Sequence, residues 1–384
     1  MRVFSCLVLA LGLAHSGLCQ DLVSALSKYP ELSSFSQLLS NLPGGVESIL
    51  PSGLVPNSTE RVTILAPNNA ALLSFANSTG GPNIADLPAD QLLAVLKYHV
   101  LAAKLTGKEL TATESLIVPT LLRDQQYNNR SAGADLVNAY GPEAALGQVI
   151  FASKDPINAV KARRRQTVSV YLRGGNGRGA GLNAVDAQWA LGYLQIVDSV
   201  LVPPQPCDVT IKGQDTLSSL DDALDKTDLY PALDTTPNVT CLAPTNNAFK
   251  SAGHPEDMLN KTDLTGALLF HTLPFPLYTP YIVSGMKVAS LADGLDVTVV
   301  KVGEDIYFND AKLISPNVLT NNGLIHVLDR IMTPDGKPPV SPSPTASPSP
   351  TGPSQSPKPD AANSLSGKVW VGLLTCFAAV ALLL

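Results

Sequence analysis

Aromatic residues make up only 5% of this 384-residue chain, and charged residues only 15%. Histidine occurs five times. No HExxH, GxSxG, CxxC or GxxxxGKS/T pattern is present, so zinc-protease, serine-hydrolase, dithiol-redox and P-loop chemistry have no support. Basic charge is also scarce. The formal charge is −6, and becomes −8 if Arg2 and Lys368 are lost with the two terminal segments. Nothing in that balance attracts a nucleic acid. The one basic run, "KARRR" at Lys161–Arg165, reads as a solvated loop or hairpin edge. A dibasic processing site and a contact with an anionic surface are its alternatives. "GGNGRGAG" (Gly174–Gly181) lies between β-rich runs, where a hairpin loop is the natural reading and a phosphate cradle the remote one. Asp221 and Asp222 open a helix-like "DDALDK", where acids suit the helix dipole before they suggest a catalytic dyad. No catalytic residue, cofactor or metal ligand is assigned.

Long apolar runs occur only at the two ends. Met1-Arg2 followed by "VFSCLVLALGLA" and the small residues of "HSGLCQ" has the form of a secretory signal peptide, assigned to residues 1–19. At the other end, Val369–Leu384 carries no charge, and no basic flank follows it. The run is short for a membrane span and follows the small-residue cluster "DAANSLSGK". That is the pattern of a glycosylphosphatidylinositol (GPI) attachment signal, placed at 363–384 with Ala362, Asn363 and Ser364 as candidate attachment residues. A true single span is the alternative. Between the folded part and this tail lies a Pro/Ser/Thr-rich stalk, 335–362. Of the residues Pro338–Pro359, nine are Pro and eight Ser or Thr. Proline removes backbone donors and fixes φ, so the stalk is extended, roughly 70 Å if straight at about 3.1 Å per residue.

Five cysteines shrink to two on such processing, because Cys6, Cys19 and Cys376 leave with the ends. Cys207 and Cys241 remain, an even count in an oxidising compartment, and a disulfide is expected, with two buried thiols as the alternative. Five Asn-X-Ser/Thr sequons fit the same compartment: Asn57, Asn77, Asn129, Asn238 and Asn260.

What is abundant is repetition. "TILAPNNAAL" from Thr63 is echoed by "TCLAPTNNAF" from Thr240, "LKYHVL" (Leu96–Leu101) by "LLFHTL" (Leu268–Leu273), and "GYLQIVDSVL" (Gly192–Leu201) by "GLIHVLDRIM" (Gly323–Met332). The order is the same each time, so the chain holds two copies of one domain. The first motif reads as a strand ended by proline, with Asn as the cap of the next turn or helix. "ADQLLAVLKYHVL" carries Leu92, Leu93, Leu96 and Val100 at helical spacing, and the last motif reads as a buried strand. His271 and Asp329 are 58 positions apart, against 99 for His99 and Asp198, so copy one carries about 41 extra, placed at about 123–160. Gln195 stands where the other copy has His326, and Tyr98 where it has Phe270.

Strand-Ala-Pro-Asn, an aromatic-His pair and a closing strand that ends in Asp together resemble the fasciclin (FAS1) family, twice, over nearly all of residues 21–334. The resemblance implies an α+β fold of two tandem domains, 20–204 and 205–334, each a β-rich wedge of two sheets with packed helices. It also connects the aromatic-His position with cell adhesion, which singles out Tyr98-His99 and Phe270-His271. The competing reading is that these histidines are satisfied core residues.

The function expected is that of a GPI-anchored surface glycoprotein, not an enzyme, acting in adhesion or in matrix or cell-wall contact. Its partners would be a surface, matrix or wall protein or glycan, the membrane through the lipid anchor, and a second copy through weak self-association. The stalk composition suggests a fungal surface protein. The alternative is a single-pass luminal protein of the vacuolar or endosomal system that acts in membrane trafficking.

Overall fold

The computed structural model describes residues 21–50, 61–79, 82–111, 115–154, 170–175, 177 and 179–339. The signal peptide, Asn57, the Lys161–Arg165 run, the GPI candidates and nearly all of the stalk lie outside these residues. Among the described residues no helix is long and apolar enough to cross a membrane.

Domain one opens with helical residues 21–26 and α1 (Ser33–Ser40). β1 (Val62–Pro67) and α2 (Asn69–Thr79) follow, then α3 (Ala89–Tyr98), β2 (Val100–Leu101) and β3 (Ser115–Pro119). After α4 (Ala134–Tyr140) come β4 (Val149–Ser153), β5 (Tyr171–Arg173), β6 (Gly179–Trp189) and β7 (Gly192–Val197). Domain two repeats the plan. It runs through α5 (Cys207–Lys212), α6 (Ser218–Thr227), α7 (Tyr230–Thr235), β8 (Val239–Pro244), α8 (Asn246–Ser251), α9 (Lys261–Phe270) and β9 (Thr272–Leu273). It ends with β10 (Met286–Ala289), β11 (Asp296–Val302), β12 (Asp305–Phe308), β13 (Ala311–Thr320) and β14 (Gly323–Leu328).

Each domain is one seven-stranded sheet. The orders β2-β1-β7-β6-β5-β4-β3 and β9-β8-β14-β13-β12-β11-β10 match strand for strand. The two sheets expected in each wedge are joined through one long bent strand, β6 or β13. Its bulge falls between Asn183 and Ala187 in β6 and between Ser315 and Val318 in β13. Within each sheet, the parallel pairing among the described strands is that of β1 with β7 or of β8 with β14, between the first and last repeated motifs. Each sheet nearly closes on itself: the N–H of Leu121 donates to Val100 O at 2.8 Å, and that of Leu291 to Thr272 O at 2.8 Å. Closure removes free edges. Glycine is required where the parallel pair begins, because a Cβ on Gly192 or Gly323 would lie 1.9 Å from the carbonyl oxygen of Val62 or Val239.

The repeated asparagine divides its work by position. Asn68 caps α2 by accepting the N–H of Ala71 at 2.8 Å. Asn69 instead accepts the N–H of Ser34 and donates to Pro30 O, and Asn246 accepts from Ser219 and donates to Asp215 O. Both therefore pin the N-terminal helices to the barrel. Two expectations need correction. The helix ending near His99 stops at Tyr98, and Val100 pairs with Ile64 as strand, because β1 supplies hydrogen bonds that another helical turn would forfeit. The surplus of domain one is not one block over 123–160. It is divided by β4 into 29 residues between β3 and β4, where six link β10 to β11, and 17 between β4 and β5, where two link β11 to β12.

The first of these additions builds the seam between the domains. Its Leu136 and Ala145 join Ile117 of β3 and Val149 and Phe151 of β4 in one buried cluster with Tyr278, Leu319 and Leu324 of domain two. Beside it the N–H of Asn129 donates to Asn321 O at 2.7 Å, and Gly175 bridges to Leu319 as a parallel strand contact. Apolar burial of this kind makes two domains one body.

Candidate functional site

The aromatic-His pairs sit where α3 and α9 hand over to β2 and β9. All four side chains are buried: Tyr98 is 0% exposed, His99 1%, Phe270 2% and His271 5%. His99 Nδ1 lies 2.8 Å from Val95 O, and His99 Nε2 accepts the backbone N–H of Leu201 at 3.0 Å. His271 repeats this with Ala267 O at 2.8 Å and the N–H of Met332 at 3.0 Å. A backbone N–H only donates and a carbonyl only accepts, so each ring is the neutral Nδ1–H tautomer. Burial pushes both pKa values down to about 4. Each histidine clamps the last turn of its helix to the chain that leaves the closing strand. Tyr98 adds a hydroxyl that donates to Val149 O at 2.8 Å, a tie to β4 that Phe270 cannot make.

A second polar cluster, also present twice, lies at the bulge of the long strand. Thr63 Oγ1 accepts the N–H of Leu105 at 2.8 Å and donates to Ala103 O at 2.8 Å. Thr240 Oγ1 accepts the N–H of Leu277 at 2.8 Å and donates to Phe275 O at 2.7 Å. Gln195 and His326, which differ between the copies, do the same work. Gln195 Oε1 accepts from Val185 and Asp186 N–H while its Nε2 donates to Leu105 O at 3.3 Å. His326 Nδ1 accepts the N–H of Asn317 at 3.2 Å and its Nε2–H donates to Leu277 O at 2.8 Å. Burial holds the pKa of His326 at about 4 as well. Asp186 and Asn317 both take positive φ, 46° and 52°, as the bulge demands. The threonine was visible as part of the first repeated motif; Asp186 and Asn317 carried no sequence signal.

The other predicted positions are scattered. Cys207 and Cys241, expected to be bonded, are free thiols in the structure. Both belong to the apolar core cluster that includes residues of α6 and α7, where burial pushes the Cys241 thiol up to about 12 and raises that of Cys207 well above its ordinary value. Asn77 lies in α2. Asn129 and Asn238 are half-buried in the seam. Asn129 Nδ2 donates to Thr235 O at 3.3 Å, and Asn238 Nδ2 donates to Ser131 Oγ at 2.9 Å. Asn260 is exposed and caps α9, accepting the N–H of Asp263 at 3.0 Å. Asp221 accepts the hydroxyl of Tyr230 at 2.7 Å in the first turn of α6, as a helix-start residue and with Asp222 beside it.

A family model described as "Fasciclin domain" matches residues 30–203 and 215–334, once over each barrel. The chain belongs to the fasciclin domain family. Among its fasciclin relatives, a "Fasciclin-like arabinogalactan protein" of Arthroderma benhamiae is 25% identical over 84% of this chain and 68% of its own length. The "Fasciclin-like arabinogalactan protein elcF" of Phaeosphaeria nodorum is 23% identical over 87% of this chain and 94% of its own. A solved FAS1 domain pair from the insect cell adhesion molecule Fasciclin I matches with a TM-score of 0.35 and 18% identity, covering 80% of this chain and 98% of that one.

Proposed function

We propose that this chain is a cell-surface glycoprotein, held by a GPI anchor, that mediates adhesion or contact with extracellular matrix or cell wall through its paired fasciclin domains. The observation that carries this reading is the order of parts: two fasciclin domains joined as one body, a Pro/Ser/Thr-rich segment, then a charge-free terminal run. Two relatives named fasciclin-like arabinogalactan proteins support a secreted or surface setting. The partner is a surface, matrix or wall protein or glycan, engaged by exposed loops. The reading is one of binding and not of catalysis. Each of the three buried histidines has both ring nitrogens engaged by backbone groups, which leaves no free nitrogen to act as a general base.

The anchor is tested with phosphatidylinositol-specific phospholipase C on cells that express the chain. The enzyme should release intact two-domain protein whose C-terminus falls among Ala362, Asn363 and Ser364. Protein that resists the lipase and still yields peptides from Val369–Leu384 would overturn the anchor and favour a single-pass luminal protein of the trafficking system.

A further inference from the structure

The two domains carry a crevice at the same place, and its chemistry has diverged. In each it lies beside the last turn of the helix that carries the aromatic-His pair, against the first residue of the parallel strand pair. Val62, Lys97 and Leu121 line it in domain one, and Val239, Leu269 and Leu291 line it in domain two. These are counterparts. Val62 and Val239 pair with Gly192 and Gly323, Lys97 and Leu269 immediately precede Tyr98 and Phe270, and Leu121 and Leu291 make the matching closure bonds. A feature that recurs after such sequence divergence belongs to the fold and is not a local packing fault.

In domain one the crevice is a groove of about 1110 Å³, walled by the added segment and lined by Lys97, Lys104 and Arg123 with Asp90, Asp124 and Glu143. In domain two it is a cavity of about 70 Å³ with no charged side chain in its lining. Leu224, Leu229, Leu233, Leu268, Leu269 and Leu291 are among its lining residues. Its polar side chains are few: Thr272 Oγ1 donates to Leu268 O at 3.0 Å, both ring nitrogens of His271 are used by the clamp, Thr236 is an exposed residue, and the Cys241 thiol is a weak donor. Leu229, Leu269 and Leu291 are only half-buried, so the cavity opens at their side chains.

We propose that this cavity in domain two binds the end of an alkyl chain from a free, uncharged amphiphile. The volume exceeds the roughly 10–15 Å³ that one water requires, yet a lining this poor in free polar groups does not offer the two to four partners each water needs. Cavities of this lining stay dry and take apolar guests. The space would otherwise cost the dispersion contacts of every leucine around it. The walls are mostly branched aliphatics with no Phe, Tyr or Trp ring among them, which favours a flexible chain over a flat ring. The lining offers no cation for a phosphate, which favours a neutral head left at the mouth over a phospholipid.

The test uses the purified full chain with 1-octanol as probe, followed by calorimetry and by the methyl resonances of leucine. One saturable site is expected, with shifts centred on Leu229, Leu268, Leu269 and Leu291. 1,8-Octanediol, which would bury a hydroxyl, should bind at least tenfold more weakly. Leu269→Lys places at this position the residue that domain one uses, so the ligand-free melting temperature should be unchanged while octanol affinity falls at least tenfold. Leu291→Gln should lower it likewise at a second position of the mouth. Absence of saturable binding, equal affinity for the diol, or affinity untouched by both substitutions would overturn the proposal.

Discussion

The Nε2 atom of His99 accepts the backbone N–H of Leu201 at 3.0 Å, across 102 residues of chain. This bond joins the helix of the second repeated motif to the exit of the third. With its twin at His271 and Met332 it explains why an aromatic-His pair recurs without being displayed. A neutral imidazole with one donor and one acceptor fits a site that offers one carbonyl and one N–H. No other uncharged side chain reaches both from a helix end with so little rotamer freedom to lose.

Acid should destabilise the fold through these rings. The folded pKa of His99, His271 and His326 is lowered to about 4, against 6.5 for the free side chain. Between those values the unfolded chain binds protons that the native chain refuses, so their contribution is complete above pH 6.5 and is lost progressively as pH falls toward 4. Full loss amounts to about 3 kcal/mol per histidine. Denaturant midpoints measured from pH 8 to 4 should be flat at first and then decline. His326→Gln, which installs the residue of domain one, should keep the bulge bonded and make the decline shallower. An unchanged slope would contradict the buried-neutral assignment.

The two thiols should be hidden and not bonded. An alkylating reagent should leave the native, unreduced protein unmodified and label both Cys207 and Cys241 after denaturation without reductant. A crosslinked peptide pair in the unreduced protein would show the bridge that their even number suggests.

Glycan occupancy should follow the seam. Asn260 presents an exposed side chain, whereas the Nδ2 atoms of Asn129 and Asn238 donate across the domain boundary. Glycopeptide mapping should find Asn260 occupied and the seam pair bare. A sugar on Asn238 would mean that the domains separate in the secreted protein.

Much of this was legible in the sequence, for reasons that can be traced to particular residues. β1 and β8 announce themselves because Thr-hydrophobic-Leu-Ala-Pro is a β run with a built-in stop. β7 and β14 do so because a strand buried on both faces has no polar alternation. The pairing between them was not legible, since the partners lie far apart in the chain and only the carbonyls of Val62 and Val239 explain the glycines at 192 and 323. The bulges were silent, because Asp186 and Asn317 are ordinary loop residues until a left-handed φ is required of them. β4 was hidden inside an apparent insertion by the long segments on either side. The exchange of Lys97 for Leu269 was plain in the aligned motifs, but it acquires meaning only once both are seen to line a crevice.

The most direct test of the account is cell binding by His99→Ala and His271→Ala proteins, assayed beside their melting temperatures. Each substitution leaves a buried N–H, that of Leu201 or Met332, without its partner, while Val95 O and Ala267 O keep the backbone N–H of residue 99 or 271, so a loss of roughly 1–3 kcal/mol is predicted. Adhesion should be retained at temperatures where the variant remains folded and should fail only as it unfolds. Abolished adhesion at an unchanged melting temperature would contradict the clamp and make the buried pair a contact surface after all.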